Sequence, residues 1–144
     1  MKIGFTGTRH GMTNDQADTF YELVHDLFYR DRSVREFHHG DCIGADAEAH
    51  EMVFERNAGV FYHLHPCNLP RQRAYMSADF EYEEKPPLKR NHDIVDASEV
   101  MIATPRETKE KFRGSGTWAT IRYTRSQEKK LYIIWPDGSI KEEF

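Results

Sequence analysis

The chain has 144 residues, a length that suits one compact domain around a single core. Hydrophobic residues make up 38%, charged residues 31% and aromatics 12%, an aromatic content too high for a disordered chain. Twenty Lys and Arg against twenty-four Asp and Glu leave a net charge of -4, which argues against a generally basic protein that wraps nucleic-acid backbone and leaves room for a local basic cleft.

No apolar run reaches the roughly 20 residues that span a bilayer, and the first residues pass directly into strand-like sequence without a signal-peptide pattern. Cys42 and Cys67 lie 25 residues apart with no CxxC. Reduced thiols and a cytoplasmic location are therefore expected, with no membrane partner.

In chain order, Lys2 to Gly7 reads as a short strand closed by the Thr6-Gly7-Thr8-Arg9 turn. Asn14 or Asp15 then caps a helix whose apolar positions Ala17, Phe20, Tyr21, Val24, Leu27 and Phe28 follow three-four spacing. A second strand, Arg35 to Gly40, leads through Asp41-Cys42-Ile43-Gly44 into a helix with Ala45, Ala49, Met52 and Val53 on one side. Val60 to His65 alternates as a third strand that Pro66 stops. Residues 67–87 lack periodicity and are too long for an ordinary connection, so they read as a lid or mobile insertion. Arg71 and Arg73 are placed to reach a phosphate from it, and Tyr75 or Phe80 to cover a base. Pro87 or Leu88 opens a short helix, Glu99 to Thr104 is a buried strand, and Gly114-Ser115-Gly116-Thr117 opens a helix carrying Trp118 and Ile121. Leu131 to Trp135 is the last expected strand. Alternating strands and helices imply a single α/β domain over 1–144, Rossmann-like, with a parallel sheet and helices on both faces.

In such sheets ligands bind beyond the carboxyl ends of the strands, so the residues just after each strand carry the function. Gly7, Thr8 and Arg9 follow the first strand, Gly40, Asp41 and Gly44 the second, and Gly114, Ser115, Gly116 and Thr117 precede the last helix. Glycine turns feeding helix starts offer N–H groups and a positive dipole end to an anion, and Arg9 adds a fork for phosphate. Arg90 and Asn91 begin the third helix and face either the same edge or solvent. Asp41 stands beside these loops as a ribose acceptor or general acid/base, or else as a cap of the following helix. Asp46 and Asp96 share that ambiguity. His38, His39, His63 and His65 sit on adjacent strands, yet no carboxylate or cysteine falls at a recognisable ligand spacing, so no metal is expected. Cys42 has no histidine placed by sequence to activate it.

With these residues in hand, the chain resembles the SLOG superfamily, the Rossmann-like group that joins the Smf/DprA proteins to the LOG nucleotide hydrolases, and most of all its small YspA-like branch. The resemblance rests on Gly4 to Arg9, His39 to Asp46, His65-Pro66, Arg90-Asn91 with Asp96-Ala97, and Gly114 to Thr117, in the family's order. It implies a nucleotide or nucleotide-derived ligand held by phosphate on the last glycine turn and by Arg9 and Arg90, a homodimer or higher homo-oligomer, and no required cofactor. In the LOG pattern a glutamate takes part in N-glycosidic cleavage; Thr120 stands at that position here. The ligand is thus expected to be bound for sensing, sequestering or processing. The alternative is an N-glycosidase or ribosyl transferase on nucleoside 5'-monophosphates with Asp41 as the acid or nucleophile. A nucleic-acid partner is disfavoured by the acidic balance.

Overall fold

The computed structural model describes residues 1–31 and 33–144. Its elements run β1 (Lys2–Gly7), α1 (Asn14–Arg30), β2 (Arg35–His39), α2 (Ala45–Arg56), β3 (Val60–Leu64), β4 (Phe80–Glu81), α3 (Pro87–Ala97), β5 (Val100–Thr104), α4 (Gly116–Ser126), β6 (Lys130–Ile134) and β7 (Ile140–Glu143). The strands form one sheet in the order β4-β3-β2-β1-β5-β6-β7, parallel throughout except for the antiparallel β6–β7 pair. This is a Rossmann-like α/β architecture.

Period-two alternation sorts the strand side chains into two layers. Ile3, Phe5, Phe37, Tyr62, Val100, Ile102, Tyr132 and Ile134 pack against Phe20, Val24, Leu27 and Phe28 of α1 and Ala45, Ala49 and Val53 of α2. Met101, Ala103, Leu131 and Ile133 point the other way, onto Ile94 and Val95 of α3 and Trp118 and Ile121 of α4. On β2 and β3 this second face carries Glu36, His38 and His63, with His65 just beyond β3, instead of aliphatic side chains.

Three expectations are corrected. The α1 cap is Thr13, whose hydroxyl accepts from Gln16 N while the Gln16 side chain accepts from Thr13 N, a reciprocal capping box. The sheet does not end at Trp135: the Asp137-Gly138 turn, with Gly138 at φ +86°, returns the chain as β7 and makes the last pair antiparallel. Residues 67–87 are not a structureless insertion, because Tyr82 N donates to Leu64 O and Asp79 N to Tyr62 O, extending the sheet with β4.

Candidate functional site

The chain runs outward from β1 through β2 and β3 to β4 and then returns to place β5 on the other side of β1. Two loops therefore diverge from the carboxyl ends of β1 and β5, the topological switch point at which such sheets open a crevice. A cleft of about 330 Å³ lies there. Its walls are Gly7, Thr8 and Arg9 after β1, Arg90, Asn91 and Ile94 on α3, and Arg106, Glu107 and Lys111 with Gly114–Thr117 between β5 and α4.

At the floor of the turn, the Ser115 hydroxyl caps α4 by accepting from Trp118 N at 3.2 Å. The N–H groups of Gly116 and Thr117 precede the first bonded turn and find no acceptor among the described residues, so they face the cleft as free donors. Arg9 is exposed at the rim, and Arg106 and Lys111 give that rim a basic lining within an acidic chain.

Arg90 does face the same edge, but its charge is already engaged. Its guanidinium is buried and donates to Gly40 O at 2.7 Å, His65 O at 3.2 Å, Pro87 O at 3.4 Å and Cys42 Sγ at 3.5 Å. Four of its five N–H groups are thus engaged, three of them tying the ends of β2 and β3 to α3, which makes Arg90 a strut in the cleft wall.

Gly40, Asp41 and Gly44 do not line the cleft. Asp41 is fully buried at φ +56°, and its carboxylate accepts from Arg73 Nη2 at 2.9 Å, Arg73 Nε at 3.1 Å and Met76 N at 2.9 Å. It therefore anchors the 67–87 segment and neither caps α2 nor reaches a ligand in the cleft. The cleft is instead lined by two other acids, Glu107 and Asp46, and Asp46 Oδ2 accepts from Gly40 N at 3.1 Å and Cys42 N at 3.2 Å. Burial pushes the Asp46 pKa up to about 6, against the opposing pull of the Arg90 charge and the two backbone donors. Burial likewise pushes the Cys42 thiol up to about 12, so it is no nucleophile.

The expected contacts of the 67–87 segment also move. Arg73 bridges Asp41 and Glu81 and lies 4.4 Å above the Tyr75 ring, and Phe80 stacks on His63 at 4.5 Å. Neither reaches the cleft, where the segment contributes Gln72 and Pro87. On α4, Thr120 turns its hydroxyl back to donate to Gly116 O at 2.8 Å. His10, Gln72, Arg106, Glu107 and Lys111 line the cleft without having been singled out by sequence, because loop residues show no period that would reveal their orientation.

The fold and cleft define a Rossmann-like α/β domain with a crevice at the switch point. No family model matches the chain, and no curated protein is similar to it. Among solved structures, it is similar to the molybdenum cofactor binding protein from the phototrophic bacterium Rippkaea orientalis, with a TM-score of 0.65 and 17% identity over 94% of this chain and 77% of that one. It is also similar to TM1055, a structural-genomics target, with a TM-score of 0.61 and 15% identity over 91% of this chain and 72% of the other. No helix among the described residues is long and apolar enough to cross a membrane.

Proposed function

We propose that the cleft binds a nucleotide or nucleotide-derived small molecule through its phosphate, on the backbone N–H groups of the Gly114–Thr117 turn with Arg9 closing over the charge. Gly116 carries this reading. A Cβ there would meet only Asn91 Nδ2, at 3.8 Å, and the residue is not among the positive-φ glycines, so neither packing nor backbone conformation calls for glycine. Close approach of a ligand to the main chain does call for it, at a helix start whose dipole favours an anion.

Binding without turnover is favoured over N-glycosidic chemistry by the placement of the carboxylates. Asp41 is tied to Arg73 outside the cleft, Asp46 has its Oδ2 held by Gly40 N and Cys42 N, Thr120 stands where the resemblance would put a glutamate, and Glu107 accepts from Trp118 Nε1 at 3.0 Å. A role in holding a small molecule also accords with the description of the Rippkaea orientalis neighbour as a cofactor-binding protein.

Mass spectrometry of small molecules released from the purified protein, followed by incubation with a nucleotide panel, tests the reading. An intact nucleotide that stays intact is expected; a free base accumulating with time would instead establish the hydrolase. Gly116→Val should abolish the thermal shift given by that nucleotide while leaving the ligand-free unfolding temperature unchanged. Undiminished binding by this variant would make the turn a mere connection.

A further inference from the structure

The second face of β2, β3 and β4 lies outside the two aliphatic clusters and carries a row of ring side chains. In the parallel register His38 stands beside His63 and His63 beside Phe80, and the three rings stack at centroid separations of 4.2 and 4.5 Å. Glu36 and His38, two residues apart on β2, point to this same side. His38 and His63 are buried, whereas Glu36 keeps part of its carboxylate in contact with solvent.

Both imidazoles direct the same nitrogen to one point. His38 Nε2 lies 2.8 Å and His63 Nε2 3.3 Å from Glu36 Oε1. One ligand atom from each of the three residues falls within 4.8 Å of the others. The opposite nitrogens are held as well: His38 Nδ1 is 2.9 Å from His65 Nε2, and His63 Nδ1 is 2.8 Å from the Tyr82 hydroxyl. A carboxylate only accepts, so without an ion His38 Nε2–H donates to Glu36, and His63 Nε2 makes a longer contact with the same oxygen; His65 Nε2–H donates to His38 Nδ1, and the Tyr82 hydroxyl is hydrogen-bonded to His63 Nδ1. Both outer partners can also accept. The ring tautomers can therefore reverse, freeing the Nε2 lone pairs while every Nδ1–H still finds an acceptor. Metal-ligating histidines are oriented in this way by hydrogen bonds to their other nitrogen. Lys2 pairs with Glu36 in the β1–β2 register, but no ion pair between them occupies the carboxylate.

We infer that Glu36, His38 and His63 form a binding site for a borderline divalent transition-metal ion of the zinc class, with a fourth position open to solvent beside Glu36. Two imidazoles and one carboxylate are the ligand set such ions prefer when one position remains open. Tetrahedral ligands at about 2.0–2.1 Å from zinc lie roughly 3.3 Å apart, so the short Glu36–His38 contact must widen by about half an ångström and the stacked His38 and His63 rings must tilt to bring both Nε2 lone pairs onto one ion. Glu36, the most exposed of the three, has the freedom to do this. The site shares no residue with the cleft and is independent of the nucleotide reading.

The test uses the full chain without an affinity tag, stripped with a chelator and titrated with Co²⁺ while its visible d–d bands are recorded, then with Zn²⁺ in competition. Saturation at one equivalent and displacement by Zn²⁺ are expected. Glu36→Gln should weaken Co²⁺ binding at least tenfold. Tyr82→Phe touches no ligand atom but removes the partner of His63 Nδ1, and should weaken binding by roughly 10–100-fold. His38→Ala and His63→Ala should abolish the bands. If these buried substitutions prevent folding, imidazole ¹⁵N spectra of the unaltered chain decide, since Zn²⁺ must shift the Nε2 resonances of His38 and His63. Absence of a saturable Co²⁺ signal, unshifted Nε2 resonances, or binding undiminished in both Glu36→Gln and Tyr82→Phe overturns the site.

Discussion

At the residue scale, the glycines that look alike in sequence answer to different constraints. A Cβ on Gly7 would stand 2.6 Å from Ala45 Cβ, one on Gly40 would strike the Arg90 guanidinium, and Gly44 sits at φ +99° against the Arg9 carbonyl. Gly7 and Gly44 permit the close approach of α2 to the end of β1, and Gly40 that of Arg90 to the end of β2. Gly116 alone in the set has neither constraint. Asp46 supplies the test of the cleft's electrostatics. Burial pushes its carboxyl up to about 6, so acidification from pH 7 to 5 neutralises one of the negative charges lining the cleft. Affinity for a ligand of constant charge, such as the pyrophosphate diester ADP-ribose, should rise over that range. In Asp46→Asn the affinity at pH 7 should already be higher and its pH dependence shallower, as read by calorimetry at several pH values. Parallel pH profiles in the two proteins would remove Asp46 from the site.

At the scale of elements, residues 67–87 are held to the body of the domain at several points. The segment is pinned by β4, by the Cys42–Arg73 and Cys67–Lys85 bridges, and by Asp41, which receives Arg73 from one side and Met76 N from the other. Removing Arg73 leaves the fully buried Asp41 without its counter-charge, a change that typically costs about 3–5 kcal/mol. Arg73→Ala should accordingly lower unfolding stability by that order and raise hydrogen exchange across 67–87, while the glycine turn at 114–117 keeps its exchange rate. If exchange in 67–87 is already fast in the unaltered protein and slows only on ligand binding, the segment is a lid after all.

For the whole molecule, buried histidines set the acid limit of stability. His39 accepts from Asp41 N on Nδ1 at 3.0 Å, so its Nε2–H donates to His50 Nδ1 at 2.8 Å, and protonation would break the first bond. Burial holds its pKa well below 6.5 and depresses His38 to about 4 and His65 to about 3. Below pH 6.5 the unfolded chain binds protons that these rings refuse. Stability is therefore complete above that value and is lost as pH falls, by about 1.4 kcal/mol per unit for each ring that stays neutral. Asp46 works in the opposite sense between 3.8 and about 6, where the folded state binds the extra proton, but it is one group against three. Urea unfolding of the metal-free chain should show a steep loss of stability between pH 6.5 and 5; a flat profile would contradict the buried, neutral histidines.

Local pattern determined much of this protein. The three-four spacing of Phe20, Val24, Leu27 and Phe28 located α1, the apolar run at 100–104 located β5, and strand-helix alternation implied a sheet covered on both faces. Placing the loops after the strands brought Gly7, Thr8, Arg9 and Gly114–Thr117 to one cleft, because that rule follows from connectivity alone. β4, with two exposed residues, and β7, with its largely exposed Ile140–Glu143, carry no burial period and were invisible, although Asp137-Gly138 marked the hairpin. Tertiary structure alone decided that Arg90 is a strut, that Asp41 faces Arg73, and that Glu36 meets His38 and His63. A side chain's partner across a sheet depends on strand order and register, which are set by the packing of the whole core, and no local run of residues encodes them.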